Sequence, residues 1–171
     1  MLVPLSWLKD YVDIDVTPQE LEDKLFSCGF EVEEMYEVGK DISGVVVGLV
    51  EECEPIPETH LHVCKVNIGK ETVQIICGAP NVREGIKVIV SLPGAVLPGG
   101  TIKRSVIRGE ESNGMLCSLG ELGLDHKFLK PEDTNGIHEL PLDAPVGEDP
   151  IKYMNLDDEV IDFELTSNRG D

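Results

Sequence analysis

Lys103, Arg104 and Arg108 lie in the stretch GGTIKRSVIRG (99–109), which contains no acid. The chain as a whole carries 14 Lys+Arg against 33 Asp+Glu, a formal net charge of −19. This stretch is therefore its one clean basic segment. Cations grouped like this can replace the counterions of a phosphate chain and fix its position without reading bases. The bland use of the same residues is a solvated edge strand, where Lys discourages edge-to-edge pairing. Ser112, Asn113 and Met115 follow at once, within 107–124. Ser112-Asn113-Gly114 is a turn signal. Met115, Leu116 and Cys117 form a short apolar plug, and Ser118-Leu119-Gly120-Glu121 has capping-box spacing, which predicts a short helix from about Leu119.

Other chemistry-bearing residues are weaker candidates. His60, His62 and Cys64 stand at i, i+2 and i+4, a spacing that shares one face of a strand, and with Cys77 they would make a zinc set. Core thiols and surface histidines account for the same residues more simply, so no metal site is assigned. Cys117 follows an apolar pair and is expected to be buried rather than nucleophilic. Asp157, Asp158 and Glu159 read as a solvated acidic face before they read as a cation site. Arg169-Gly170-Asp171 resembles an adhesion motif only by coincidence in a chain without an export signal. There is no phosphate-gripping glycine loop, Ser-His-Asp arrangement or ATP-binding signature, so no catalytic residue is assigned.

The elements that must position these residues are legible from periodicity. Ser6 can cap a one-turn helix through Trp7, Leu8 and Tyr11. Thr17-Pro18-Gln19-Glu20 is a helix start, with Leu21, Leu25 and Cys28 on one face and Gly29 at the end. Residues 30–33 alternate like a strand. Val45–Val50, His62–Ile68, Thr72–Cys77, Lys87–Leu92 and Thr101–Ile107 then read as short strands, with turns at Gly69, Pro93-Gly94 and Pro98-Gly99-Gly100. Five or so short strands in about 110 residues suit a small five-stranded oligonucleotide-binding (OB) barrel. Residues 125–150, rich in Pro and Gly, read as an exit linker. Residues 159–165 alternate again, and the simplest partner for them is 30–38.

The expected fold class is α+β: a small α+β domain, split in sequence, with an inserted five-stranded OB-fold β-barrel. Residues 1–38 form its first half, 39–150 the barrel and 151–171 the start of its second half. The chain stops at Asp171 without any tail character, which reads as a cut within a longer chain. Acidic residues outnumber basic ones 10 to 2 in 1–38, 17 to 10 in 39–150 and 6 to 2 in 151–171. Most of the surface should therefore repel nucleic acid, leaving contact to a local patch. Five widely spaced cysteines without a CxxC motif read as reduced thiols in a cytoplasmic protein. No signal peptide or membrane span is evident.

Several stretches carry a resemblance. SWLKDYVD, Ile75-Ile76-Cys77-Gly78-Ala79-Pro80-Asn81-Val82, Gly94–Gly100, Arg108–Ser118 and Leu165–Asp171 resemble the N-terminal part of the beta chain of bacterial phenylalanyl-tRNA synthetases. Residues 44–150 fit the wider group of OB-fold tRNA-binding domains. Pro55–Leu61 departs from the pattern, lacking the His-Pro pair and the basic residue common in related domains. The resemblance implies a non-catalytic, tRNA-binding region that supports ATP- and magnesium-dependent charging of tRNA with phenylalanine. It also implies as partners tRNA, the remainder of the beta chain and an alpha chain, in a heterotetramer of two alpha and two beta chains. Lys103, Arg104, Arg108, Ser112, Asn113 and Met115 become the RNA-contacting set. Residues 37–127 contain no Phe, Trp or Tyr, so base stacking is nearly unavailable there and shape and backbone must be read instead. Two other readings stay open: an assembly module with little RNA affinity, and a standalone small tRNA-binding protein.

Overall fold

The computed structural model describes residues 1–37, 39–124, 129, 131 and 135–164. In chain order the elements begin β1 (Leu2–Pro4), α1 (Leu5–Lys9), α2 (Pro18–Ser27) and β2 (Glu31–Glu37). The central strands are β3 (Ser43–Pro55), β4 (His62–Asn67), β5 (Thr72–Cys77) and β6 (Lys87–Leu97). Short strands follow: β7 (Gly100–Thr101), β8 (Ser105–Ile107), β9 (Glu110–Ser112), β10 (Met115–Leu116) and β11 (Glu139–Leu140). Last come the helical turn α3 (Pro150–Tyr153) and β12 (Glu159–Glu164). The described chain is mostly sheet with few helices. Residues 1–40 and 155–171 make one compact unit and residues 41–154 another.

The first unit is a three-stranded antiparallel sheet ordered β1-β12-β2. Ile161 and Phe163 of β12 and Leu5 of α1 are its buried side chains, and Phe30 meets Phe163 edge to face with centroids 6.0 Å apart. Thr17 and Glu20 cap α2 reciprocally, as their spacing requires. The sequence expectation that Ser6 caps α1 is not met. Ser6 lies within the helix, and its backbone N–H and its hydroxyl both donate to the Asp158 carboxylate, at 3.2 and 2.6 Å. Asp158 thus satisfies an unpaired donor of the first turn from across the chain. It belongs to the acidic run that composition alone marks as a solvated face.

The second unit is built on an antiparallel sheet ordered β10-β6-β3-β4-β5, with β7 and β11 both paired to β6 and with β8 and β9 forming a separate two-stranded ribbon. Alternation along β4 sends Cys64 and Val66 inward, where they join Val50, Ile75, Val88 and Val90 in a fully buried cluster. Gly48 sits mid-strand in β3 because space demands it. A Cβ there would lie 2.5 Å from Val90 Cγ2 and 2.7 Å from Val66 Cγ1, side chains of the two flanking strands.

Three sequence expectations are corrected here. Pro93-Gly94 is not a turn between strands: β6 runs through it to Leu97, bent where Gly94 takes φ 94°. Ser43 pairs with Val96 beyond this bend, with a register shift between Ser43 and Val45. Residues 119–124 form no helix. The reciprocal bonds of Ser118 and Glu121 are all present, yet they close only a turn, ending with Gly123 N–H to Gly120 O at 3.0 Å. The described part of 125–150 is not a linker. Ile137, Leu140 and Ala144 are buried, and Asn81 grips Ile137 through both its amide oxygen and nitrogen. Lys87 Nζ donates to the carbonyls of Leu142 and Ala144 at 2.6 Å each. Residues 125–128, 130 and 132–134 of that stretch, and the tail from Leu165, lie outside the described residues.

Gly48→Ala should overpack the sheet and cost about 1–3 kcal/mol. A urea melt would register this as a lower midpoint at unchanged slope.

Candidate nucleic-acid interface

The β8–β9 ribbon and the residues leading into it carry the basic stretch. Ile107 pairs with Glu110 on either side of a two-residue turn, Arg108-Gly109. Both turn residues have positive φ, 56° at Arg108 and 86° at Gly109, the conformation that matches the right-handed twist of a hairpin. Asn-Gly would fill this turn at less cost. The arginine at its first position sits in a region that L residues other than Asn and Asp avoid. Lys103, Arg104 and Arg108 are all exposed, and none makes an ion pair among the described residues. Val106 between them is 68% exposed.

Beside the ribbon an open groove of about 760 Å³ runs along β4 and β5. Arg104 and Asn113 line it together with Lys65, Gln74 and the acids Glu71, Glu110 and Glu111. Lys65 and Gln74 are cross-strand partners, and Lys65 Nζ donates to Gln74 Oε1 at 2.8 Å. Gln74 Nε2 in turn donates to Glu110 Oε2 at 3.2 Å and to the Glu111 carbonyl at 3.0 Å. The amide of Gln74 thereby ties the ribbon's second strand to β5. Sequence reasoning passed over Lys65 and Gln74. The signal was present, because alternation opposite buried Cys64 and Val66 aims Lys65 outward.

The six residues expected to meet RNA therefore separate. Arg104 and Asn113 face the groove, and Lys103 and Arg108 are exposed in the ribbon segment outside its lining. Ser112 is only 2% exposed, and its hydroxyl is spent internally. It accepts from Ile76 N–H at 3.0 Å and donates to the Gly114 carbonyl at 3.0 Å. Ser112 is thus a structural clasp rather than an exposed contact, because β9 and β5 approach too closely there for a ligand. Met115 is half-buried and paired with Ser91 of β6, whose hydroxyl donates to the Met115 carbonyl at 3.1 Å. Gly114 must be glycine: its φ is 136°, and a Cβ would lie 2.4 Å from the Ser91 carbonyl oxygen.

Cys64 and Cys77 are buried thiols, and burial pushes both above the ordinary range. Burial likewise pushes Cys117 up to about 11, and its Sγ lies 3.4 Å from Ser91 Oγ. Thiols held protonated in this way are poor nucleophiles and poor metal ligands. Among the described residues no group of three or more His, Cys, Asp or Glu side chains has a metal-binding arrangement.

Comparison with known proteins gives the family. Residues 45–149 match the family described as "Putative tRNA binding domain". The chain belongs to this family of tRNA-binding domains. Over its whole length it is 52% identical to the phenylalanine–tRNA ligase beta subunit of Streptococcus pneumoniae R6 and 50% identical to that of Streptococcus pyogenes serotype M18. It spans 22% of the length of each of these relatives. A crystal structure of a MetRS-related protein from Pyrococcus horikoshii superposes with a TM-score of 0.42 at 22% identity, covering 78% of this chain and 96% of that one.

Ser112→Ala should leave the Ile76 N–H buried without a partner and cost about 1–3 kcal/mol. The same urea melt checks it, and Ser112→Thr, which keeps the oxygen, should recover part of the loss.

Proposed function

We propose that this chain is the non-catalytic, tRNA-binding N-terminal region of a phenylalanine–tRNA ligase beta subunit. It supports the ATP- and magnesium-dependent charging of tRNA with phenylalanine, which the rest of the enzyme performs, and holds neither cofactor itself. Its partners on this reading are tRNA, the remaining beta chain and an alpha chain in a heterotetramer of two alpha and two beta chains, in the cytoplasm. Lys103, Arg104 and Arg108 supply phosphate contacts, and Asn113 adds a polar group at the groove. Ser112 and Met115 hold the segment that presents them.

The observation that carries this reading is a set of three exposed cations, within residues 103–108, that make no ion pair among the described residues of a chain with net charge −19. Arg108 in a left-handed turn position adds weight, because strain kept at an exposed hairpin tip needs a use. An inserted, closed five-stranded OB barrel is the fold we infer. Residues 112–116 support closure by bonding to both outer parts of the sheet. Asn113 N–H donates to the Gln74 carbonyl of β5 at 2.8 Å, while Met115 and Leu116 pair with β6. The antiparallel pairing of β12 with β2 supports a small α+β domain divided in sequence around residues 39–150.

One observation favours a second reading, an assembly module. Trp7, Tyr11 and Phe26 of the first unit are 65%, 88% and 71% exposed, more aromatic surface than a small free-standing unit usually leaves in water. A hydrophobic dye should then bind the isolated chain and be displaced when the remaining beta chain is present; a dye-silent chain would count against this reading.

Reversing Lys103, Arg104 and Arg108 to Glu should weaken binding to folded tRNA at least tenfold at low salt. It should also flatten the dependence of log affinity on log salt by up to about three phosphate equivalents. Unchanged affinity and slope would sink the proposed interface.

A further inference from the structure

Cys53 of β3 and Cys64 of β4 are direct cross-strand partners, and their sulfurs are 3.8 Å apart. We propose that these two thiols are an oxidation site, closing to an intramolecular disulfide when the protein meets a low-molecular-weight disulfide. Directly opposed residues of an antiparallel pair have Cα atoms about 4.5–5.5 Å apart. A disulfide accepts about 4.4–6.8 Å, so the ladder already holds both backbones at a bonding distance. Rotation of the side chains brings the sulfurs together. The register is irregular between Val50 and Glu52, just before Cys53, which gives β3 local freedom to adjust.

The roles of the two sulfurs follow from burial. Cys53 is only half-buried, whereas Cys64 is fully buried. Cys53 is therefore where an oxidant enters. Its thiolate attacks one sulfur of the small disulfide, forming a mixed disulfide and releasing one small thiol. Cys64 then attacks the Cys53 sulfur, and its proton leaves with the second small thiol. Two protein thiols and one small disulfide become one protein disulfide and two small thiols. Burial holds Cys64 protonated and slows the second step. Cys77 belongs to the same apolar cluster, but its cross-strand partner is His62. Cys117 lies against Ser91, and Cys28 is exposed in the other unit. The new bond pins the base of the loop that Ile56 N–H closes onto the Leu61 carbonyl at 2.8 Å.

Fully reduced Cys28→Ser protein, incubated natively with oxidised glutathione, should lose the mass of two hydrogens. Glu-specific cleavage without reductant, at Glu54 or Glu58, should then yield peptides joined through Cys53 and Cys64. The loss should vanish in Cys53→Ser and persist in Cys77→Ser. Stable glutathione adducts without the mass loss, or no reaction, would overturn the assignment. So would a Cys64–Cys77 link, or a mass loss that survives in Cys53→Ser.

Discussion

The second unit depends on one short segment, residues 112–117, that is bonded on both sides. Ser112 Oγ and Asn113 N–H bond to β5 at Ile76 and Gln74. Met115 and Leu116 pair with β6, and Cys117 N–H donates to the Ile89 carbonyl at 2.9 Å. A buried backbone donor left unpaired costs more than a bond made in water returns. The segment therefore has little choice of position once β5 and β6 are in place. Gly114 lets it pass the Ser91 carbonyl at a distance no side chain allows.

That constraint also sets the ribbon. β9 ends at Ser112, so the clasp that orders the buried segment anchors the exposed hairpin as well. The amide of Gln74 adds a second tether to β9. Arg104 and Arg108 are presented by a backbone held at its base, which on the proposed reading would lower the entropy lost on meeting a phosphate. The acids of the groove work the other way. Glu71, Glu110 and Glu111 repel a polyanion there, so the proposed contact is favoured where cations stand clear of them.

Acidity and aromatic placement divide the chain further. The second unit is all but free of Phe, Trp and Tyr, which removes base stacking as a source of affinity. The first unit carries Trp7, Tyr11 and Phe26 on its surface. Lys103, Arg104 and Arg108 thus stand exposed in one unit and these aromatics in the other.

The sequence by itself determined whatever depends on neighbours within a few residues. Period-two alternation marked β4 and flanking turn signals bounded β5 almost to the residue, and the capping box of α2 was legible because Thr17 and Glu20 act on each other directly. The basic stretch was legible as composition. Tertiary structure decided everything that hangs on a distant partner. Pro93-Gly94 reads locally as a turn, but pairing with β3 carries the strand past it. Ser118 and Glu121 promise a helix, but residues 119–124 close only a turn. Ser112 looks like a surface polar group until β5 comes within hydrogen-bond reach. Ile137, Leu140 and Ala144 are single apolar residues among prolines, too sparse to make a pattern, and only the sheet beneath them shows that they are core. Asp158 and Cys53 belong with these, since the Ser6 that one caps and the Cys64 that the other faces are brought to them by the fold.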